Sequence, residues 1–284
     1  NEVWLVTAVG ALFAAFPPVY ATVFSGFYLL WMLVLVGLIL RAVSMEFRGK
    51  VSSATWRRVW DGAFGLGSLL PAWLFGVAVG NLLRGVALTA EGEFAGSFLG
   101  LLNPFALLCG LLGLAMFITH GALYLAAKTQ GDLRARLLAS ATRGWMAWIA
   151  LYVLCTVVGF FVAPARFEGM LSSPLFWGFF VIFLGAMVAL PLPIRSDRPF
   201  RALLLSGLAI AALIGLAALS LFPNLVPALG APEHSLTLAQ ASSTPRTLAT
   251  MLVIAGLGMP LVIAYTVVIY RVFKGRVVLD EHSY

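Results

Sequence analysis

An all-α bundle threaded repeatedly through a membrane is the fold class this 284-residue chain predicts, and three observations predict it. The first is composition: 62% of residues are hydrophobic, only 10% are charged, and the mean hydropathy is +1.01. A soluble domain carries roughly 25% charged residues, so this much apolar surface needs lipid as its solvent. The second is run length. Apolar stretches of about twenty residues recur, and at about 1.5 Å rise per residue each spans the roughly 30 Å hydrocarbon core of a bilayer. The third is the placement of charge, which falls in the gaps between runs rather than inside them.

Taken in order, eight apolar segments are expected: 3–16, 19–40, 59–82, 104–127, 144–163, 174–192, 202–222 and 247–270. In lipid every backbone N–H and C=O needs an internal partner, and runs of this length without alternation satisfy that need as helices. The first segment is short and starts where the chain starts. It reads as the back part of a longer helix whose beginning precedes Asn1. Pro17-Pro18 separates it from the second, and Pro71, Pro191 and Pro260 mark kinks or ends. The Pro- and Ser-rich stretch 223–246 is expected to be a surface connection. Gly76-x-x-x-Gly80 and Gly110-x-x-Gly113 offer small-residue seams for close helix contact. The whole of 1–284 reads as a single integral membrane domain.

The gaps set orientation. Those after the second, fourth, sixth and eighth segments hold fifteen of the eighteen basic residues, and the alternate gaps hold only Arg84, Arg166 and Arg246. The basic side is expected to be cytoplasmic, with Asn1 and Tyr284 both on it. The net charge of +7 therefore reports membrane orientation, and nucleic acid is not an expected partner.

Chemistry-bearing residues are sparse. Cys109 and Cys155 both lie inside apolar runs and read as small buried hydrophobes, with a disulfide between them as the lesser alternative. No Cys/His cluster has metal spacing, and no phosphate loop follows a strand. Glu2 and Asp61 are the acids at or inside an apolar segment, both toward the basic side. Asp61 sits four residues after Arg57, on one helix face, among Trp56, Arg58 and Trp60. It reads either as an interface anchor or as part of a proton uptake route. Glu2, near Trp4, is either a first-turn acid favoured by the helix dipole or a carboxylate feeding protons inward. His120 is the single histidine within a segment, and a hydrogen-bonded structural histidine is the simpler reading than a haem ligand. No catalytic residue, cofactor ligand or metal ligand is assigned.

The stretches NEVWLVTAVGALFAAFPPVYATVFSGFYL, LILRAVSMEFRGK, WRRVWD, GVAVGNLLRGV, LLNPFALLCGLLGLAMFITHGALYL and SLTLAQASSTPRTL resemble subunit II of cytochrome bd-type quinol oxidases. The likeness runs from end to end. It implies nine helices, the first of which, together with a Trp-Asp-Gly motif bearing the family's proton-channel aspartate, precedes Asn1. Asn1, Glu2 and Trp4 match the motif that follows it and are implied wall residues of that channel, with Asp61 and Arg57 as further proton-path candidates. The resemblance also implies two b-type haems and one d-type haem in a partner subunit I, which also binds the quinol. Implied too are a bacterial cytoplasmic membrane location, contact with lipid and quinone, and a small single-helix accessory subunit as a further candidate partner. The rival class is a secondary transporter or another membrane scaffold. A transporter calls for broken helices in two related halves and polar groups at mid-bilayer.

Overall fold

A computed structural model describes residues 2–168, 170–273 and 275; for residues 2–7 it describes the backbone alone. Twelve helices form in chain order among the described residues. They are α1 (Glu2–Ala15), α2 (Pro17–Gly26), α3 (Tyr28–Arg48), α4 (Ala54–Arg84), α5 (Phe98–Leu101) and α6 (Pro104–Lys128), then α7 (Gly131–Val162), α8 (Pro174–Ala189), α9 (Pro191–Arg195), α10 (Pro199–Leu221), α11 (Leu238–Ala241) and α12 (Pro245–Val272). Among the described residues, seven stretches are long and apolar enough to cross a membrane: α3, α4, α6, α7, the continuous pair α8–α9, α10 and α12. The protein is thus an all-α polytopic membrane bundle. The eighth expected crossing, 3–16, corresponds to α1, whose 14 residues are too few to span alone.

The second expected segment, 19–40, is not one helix. The chain bends twice, at Phe16 and at Phe27, while helical hydrogen bonds run on through both bends. Phe16 N–H still reaches Leu12 O and Tyr20 N–H reaches Phe16 O. Likewise Phe27 N–H reaches Val23 O, and Trp31 N–H reaches Phe27 O. Pro17-Pro18 occupies the opening of α2, where a missing N–H costs nothing, so the pair bends the run instead of cutting it.

α3 packs on α4, α4 on α6, α6 on α7, and α10 on both α8 and α6. One buried cluster joins α2, α3 and α4 around Phe27, Leu30, Val34, Leu74 and Val77. A second joins α6, α7, α8 and α10 around Trp148, Phe183, Met187 and Leu216. The α4–α6 crossing is antiparallel and close because it is lined by glycine. A Cβ added at Gly76 would stand 2.7 Å from both Cys109 O and Gly110 Cα, and one at Gly80 would stand 2.7 Å from Cys109 Cβ. The seam expected at Gly76, Gly80, Gly110 and Gly113 is therefore where these helices meet.

Stretch 223–246 is more than a surface connection. It carries a short antiparallel pair, β1 (Asn224–Val226) with β2 (Leu236–Thr237), and then α11. Its Val226, Ala228 and Ala241 are buried. It docks on loop 85–97 through Val86 N–H to Pro227 O and Leu229 N–H to Val86 O, both 2.8 Å. The Thr22 hydroxyl donates to Gly92 O at 2.7 Å, and Ser243 N–H donates to Ala15 O at 2.8 Å. These bonds make a folded cap over one end of the bundle. α12 stands apart from all this: it packs chiefly on α1, and not one of its residues is buried.

Candidate functional site

At the end opposite the cap, the basic segments meet. Asp61 is the eighth residue of α4, a little over two turns from its start. Its partner is Arg48, the last residue of α3, where a base is favoured by the negative end of the helix dipole. Arg48 Nε donates to Asp61 Oδ1 at 2.6 Å, and a second contact to Oδ2 measures 3.5 Å. Both side chains are more than half exposed, at 54% and 55%. The four-residue spacing draws attention to Arg57, but Arg57 is exposed on α4 and the acid turns to the neighbouring helix. Trp56 and Trp60 frame the pair. Trp56 Nε1 donates to Phe47 O at 2.8 Å, and the Trp60 ring lies 5.2 Å from that of Phe47. Short loop, paired charges and flanking tryptophans together form a latch that closes the α3–α4 hairpin.

Two further latches lie at the same end. Arg134, near the start of α7, donates through Nε to Asp197 Oδ1 at 2.8 Å and through a terminal nitrogen to Asp197 O at 2.9 Å. Asp197 has φ +52°, a left-handed conformation that a short polar side chain tolerates. Lys128, the last residue of α6, donates to Phe273 O at 2.8 Å, just past the end of α12, satisfying a carbonyl the helix leaves open. α1 starts at Glu2 and ends under the cap, where Ala15 meets Ser243, so its first turn points away from the cap. Asn1 lies outside the described residues, as do the side chains of Glu2 and Trp4.

His120 is half-buried where α6 faces α10. His120 Nδ1 lies 2.8 Å from Ser206 Oγ, which also reaches Leu203 O at 2.9 Å. Nε2 lies outside that contact. That is the nitrogen an iron would use, but the surroundings do not fit a haem. The apolar cavity described below lies toward the cap and holds no histidine. No second histidine lies in a described membrane helix. Among the described residues, no group of three or more His, Cys, Asp or Glu side chains could hold a metal ion. Cys109 and Cys155 are free thiols, buried together against Phe105 and not joined as a disulfide.

A buried amide pair escaped the sequence reading. Asn81 is 3% exposed near the capped end of α4. Its Nδ2 donates to Val77 O at 2.9 Å and to Leu101 O at 2.8 Å, and its Oδ1 accepts from Asn103 Nδ2 at 2.9 Å. Asn103 in turn caps α6 by accepting from Ala106 N–H at 3.0 Å. Half of this was visible in advance, since Asn103-Pro104 is a helix-start signal.

Comparison with known proteins adds the following. A family model described as cytochrome bd terminal oxidase subunit II matches residues 1–273. The chain is 37% identical to "Probable cytochrome oxidase subunit 2" of Haemophilus influenzae, covering 97% of the chain and 81% of that protein. It is 34% identical to "Cytochrome bd-I ubiquinol oxidase subunit 2" of Escherichia coli, over 99% of the chain and 82% of the relative. Identity to "Cytochrome bd ubiquinol oxidase subunit 2" of Bacillus subtilis is 33%, over 98% and 81%.

Proposed function

The chain belongs to the cytochrome bd terminal oxidase subunit II family, and on that premise we propose that it is the non-haem-ligating half of a quinol:dioxygen oxidoreductase. As a family member it is a component of a terminal oxidase and a multi-pass membrane protein. In the proposed complex, two quinols give up four electrons and release four protons. Dioxygen takes the electrons with four protons from the basic side and leaves as two waters. Two relatives are named as ubiquinol oxidase subunits, which supports a quinol as the reductant.

The role of this chain is a single membrane domain that supports the haem-bearing subunit I. The observation that carries this role is α12, a 28-residue apolar helix with no buried residue, ready to pack against another membrane protein. The same complex is proposed to hold two b-type haems and one d-type haem, all outside this chain. Its setting is the bacterial cytoplasmic membrane, with the basic end and the C-terminus on the cytoplasmic side. Charge then separates without pumping, because the protons that form water enter from one side only. Asn1, Glu2 and Trp4, at the start of α1, are proposed to wall the proton path at that side. We place Asp61 in the Arg48 latch beside that path rather than in the proton relay, because its carboxylate is exposed and already paired.

Asp61→Asn distinguishes the two roles of that carboxylate. Oxygen consumption by the assembled complex should stay within about twofold of the wild type from about pH 6 to 8, since an exposed ion pair contributes little. A loss that deepens steadily as pH rises, where protons are scarce, would put Asp61 in the relay.

A further inference from the structure

Toward the cap, the ends of α4, α6, α7, α8 and α10 enclose an apolar cavity of about 590 Å³, within the roughly 300–1,000 Å³ of small-molecule sites. Phe105, Leu112, Phe176 and Leu216 line its depth, and the exposed Phe160 and Phe161 flank its opening. The hydroxyls in its lining are already engaged: Thr156 donates to Tyr152 O at 2.9 Å, and Ser220 donates to Ala217 O at 2.8 Å.

Arg166 is different. It sits in the single turn Pro164–Arg166 that follows α7, at the mouth of the cavity. Its Nε is buried and has no hydrogen-bond partner among the described residues. No carboxylate lines the cavity, and burial holds the guanidinium below its usual pKa. A half-buried cation with an unsatisfied donor calls for an anion, because a neutral acceptor would leave its charge uncompensated. Guanidinium and phosphate match in charge and in geometry, and headgroup depth is where the two meet. We propose that this cavity is a binding site for an anionic phospholipid, with one acyl chain in the apolar slot and its phosphate on Arg166. The inference does not depend on the proposed function, because it concerns only this chain's own walls and cation.

The test uses the complex as purified from membranes, stripped of lipid and titrated with dioleoyl phosphatidylglycerol under native mass spectrometry. One phosphatidylglycerol should bind tightly, and dioleoylglycerol, which has the same chains and no phosphate, about tenfold or more weaker. Arg166→Gln should weaken phosphatidylglycerol about tenfold, and Arg166→Lys should retain most of the binding. Ala217→Phe, which fills the slot without touching the charge, should weaken it as well. Inorganic phosphate should not compete. Equal phosphatidylglycerol binding by Arg166→Gln and Ala217→Phe would overturn the proposal, leaving lipid at the outer surface only. Equal affinity for dioleoylglycerol would overturn the headgroup contact, and competition by inorganic phosphate would reduce the site to a simple anion site.

Discussion

Gly76→Val should all but abolish the assembled complex in membranes. The α4–α6 crossing is a close seam, and Gly76 faces backbone there, not a side chain that could swing aside. Its added Cβ would stand 2.7 Å from Cys109 O and from Gly110 Cα. Gly110 is itself hemmed in, since a Cβ there would stand 2.6 Å from the Trp73 ring and 2.8 Å from Val77 Cγ2. Neither helix can yield without parting from the other, and the buried Leu74, Val77, Ala78 and Ala106 would lose their neighbours together. Overpacking costs typically 1–3 kcal/mol even where side chains can adjust, so about 3 kcal/mol or more is expected where they cannot. In lipid no hydrophobic force draws helices together, so close packing has no substitute. Gly65→Val is the control: it lies on the same helix with nothing within 4 Å of its added Cβ, and it should assemble normally. Native gels of solubilised membranes read both variants. Equal amounts of complex from Gly76→Val and the wild type would mean the helices do not cross here.

Asn81→Leu should produce the next largest effect, through polarity rather than volume. The amide ties three things together: the turn below it at Val77, the end of α5 at Leu101, and the capping residue of α6 at Asn103. Leucine leaves Leu101 O without this donor and one Asn103 N–H without its acceptor. The buried Leu101 O left without a donor costs about 1–3 kcal/mol and the part-buried Asn103 N–H less, so roughly 2–3 kcal/mol of stability should go. Asn103→Asp is the milder partner. It keeps an oxygen to cap Ala106 N–H but loses the donor to Asn81, and about 1 kcal/mol should go. Thermal melting of the solubilised complex should order wild type, Asn103→Asp and Asn81→Leu from highest to lowest. Limited proteolysis should open loop 85–103 first. An Asn81→Leu complex that melts with the wild type would show that these bonds do not form in the membrane.

The long spans were legible because length and absence of charge are local properties. A run such as 202–222 has no other stable conformation in lipid, and it appears as α10. What could not be read locally was where the chain bends and what meets across helices. Pro17-Pro18 looked like a boundary, but proline at a helix start interrupts no bond, and hydrogen bonding continues through Phe16 to Phe27. The loop 223–246 looked like surface chain because its prolines and serines are turn formers. Its fold depends on Val86 and Ala15, more than a hundred residues away. Asp61 was noticed for the right reason, an acid beside a run, but helical spacing can suggest only partners on its own helix, and Arg48 belongs to the previous one. Asn81 passed unremarked because a lone asparagine in a membrane helix shows its worth only when its three partners are in view.

The central claim is that iron is held wholly outside this chain, and His120 is where it is most exposed to test, because it is the single histidine in a described membrane helix and its Nε2 lies outside the Ser206 contact. The direct measurement is the reduced-minus-oxidised spectrum of the purified complex carrying His120→Gln. Glutamine can still reach Ser206 but offers no imidazole. Every haem band should keep its position and its intensity relative to protein. Loss of one band with the others intact would make this chain a haem ligand and contradict the account.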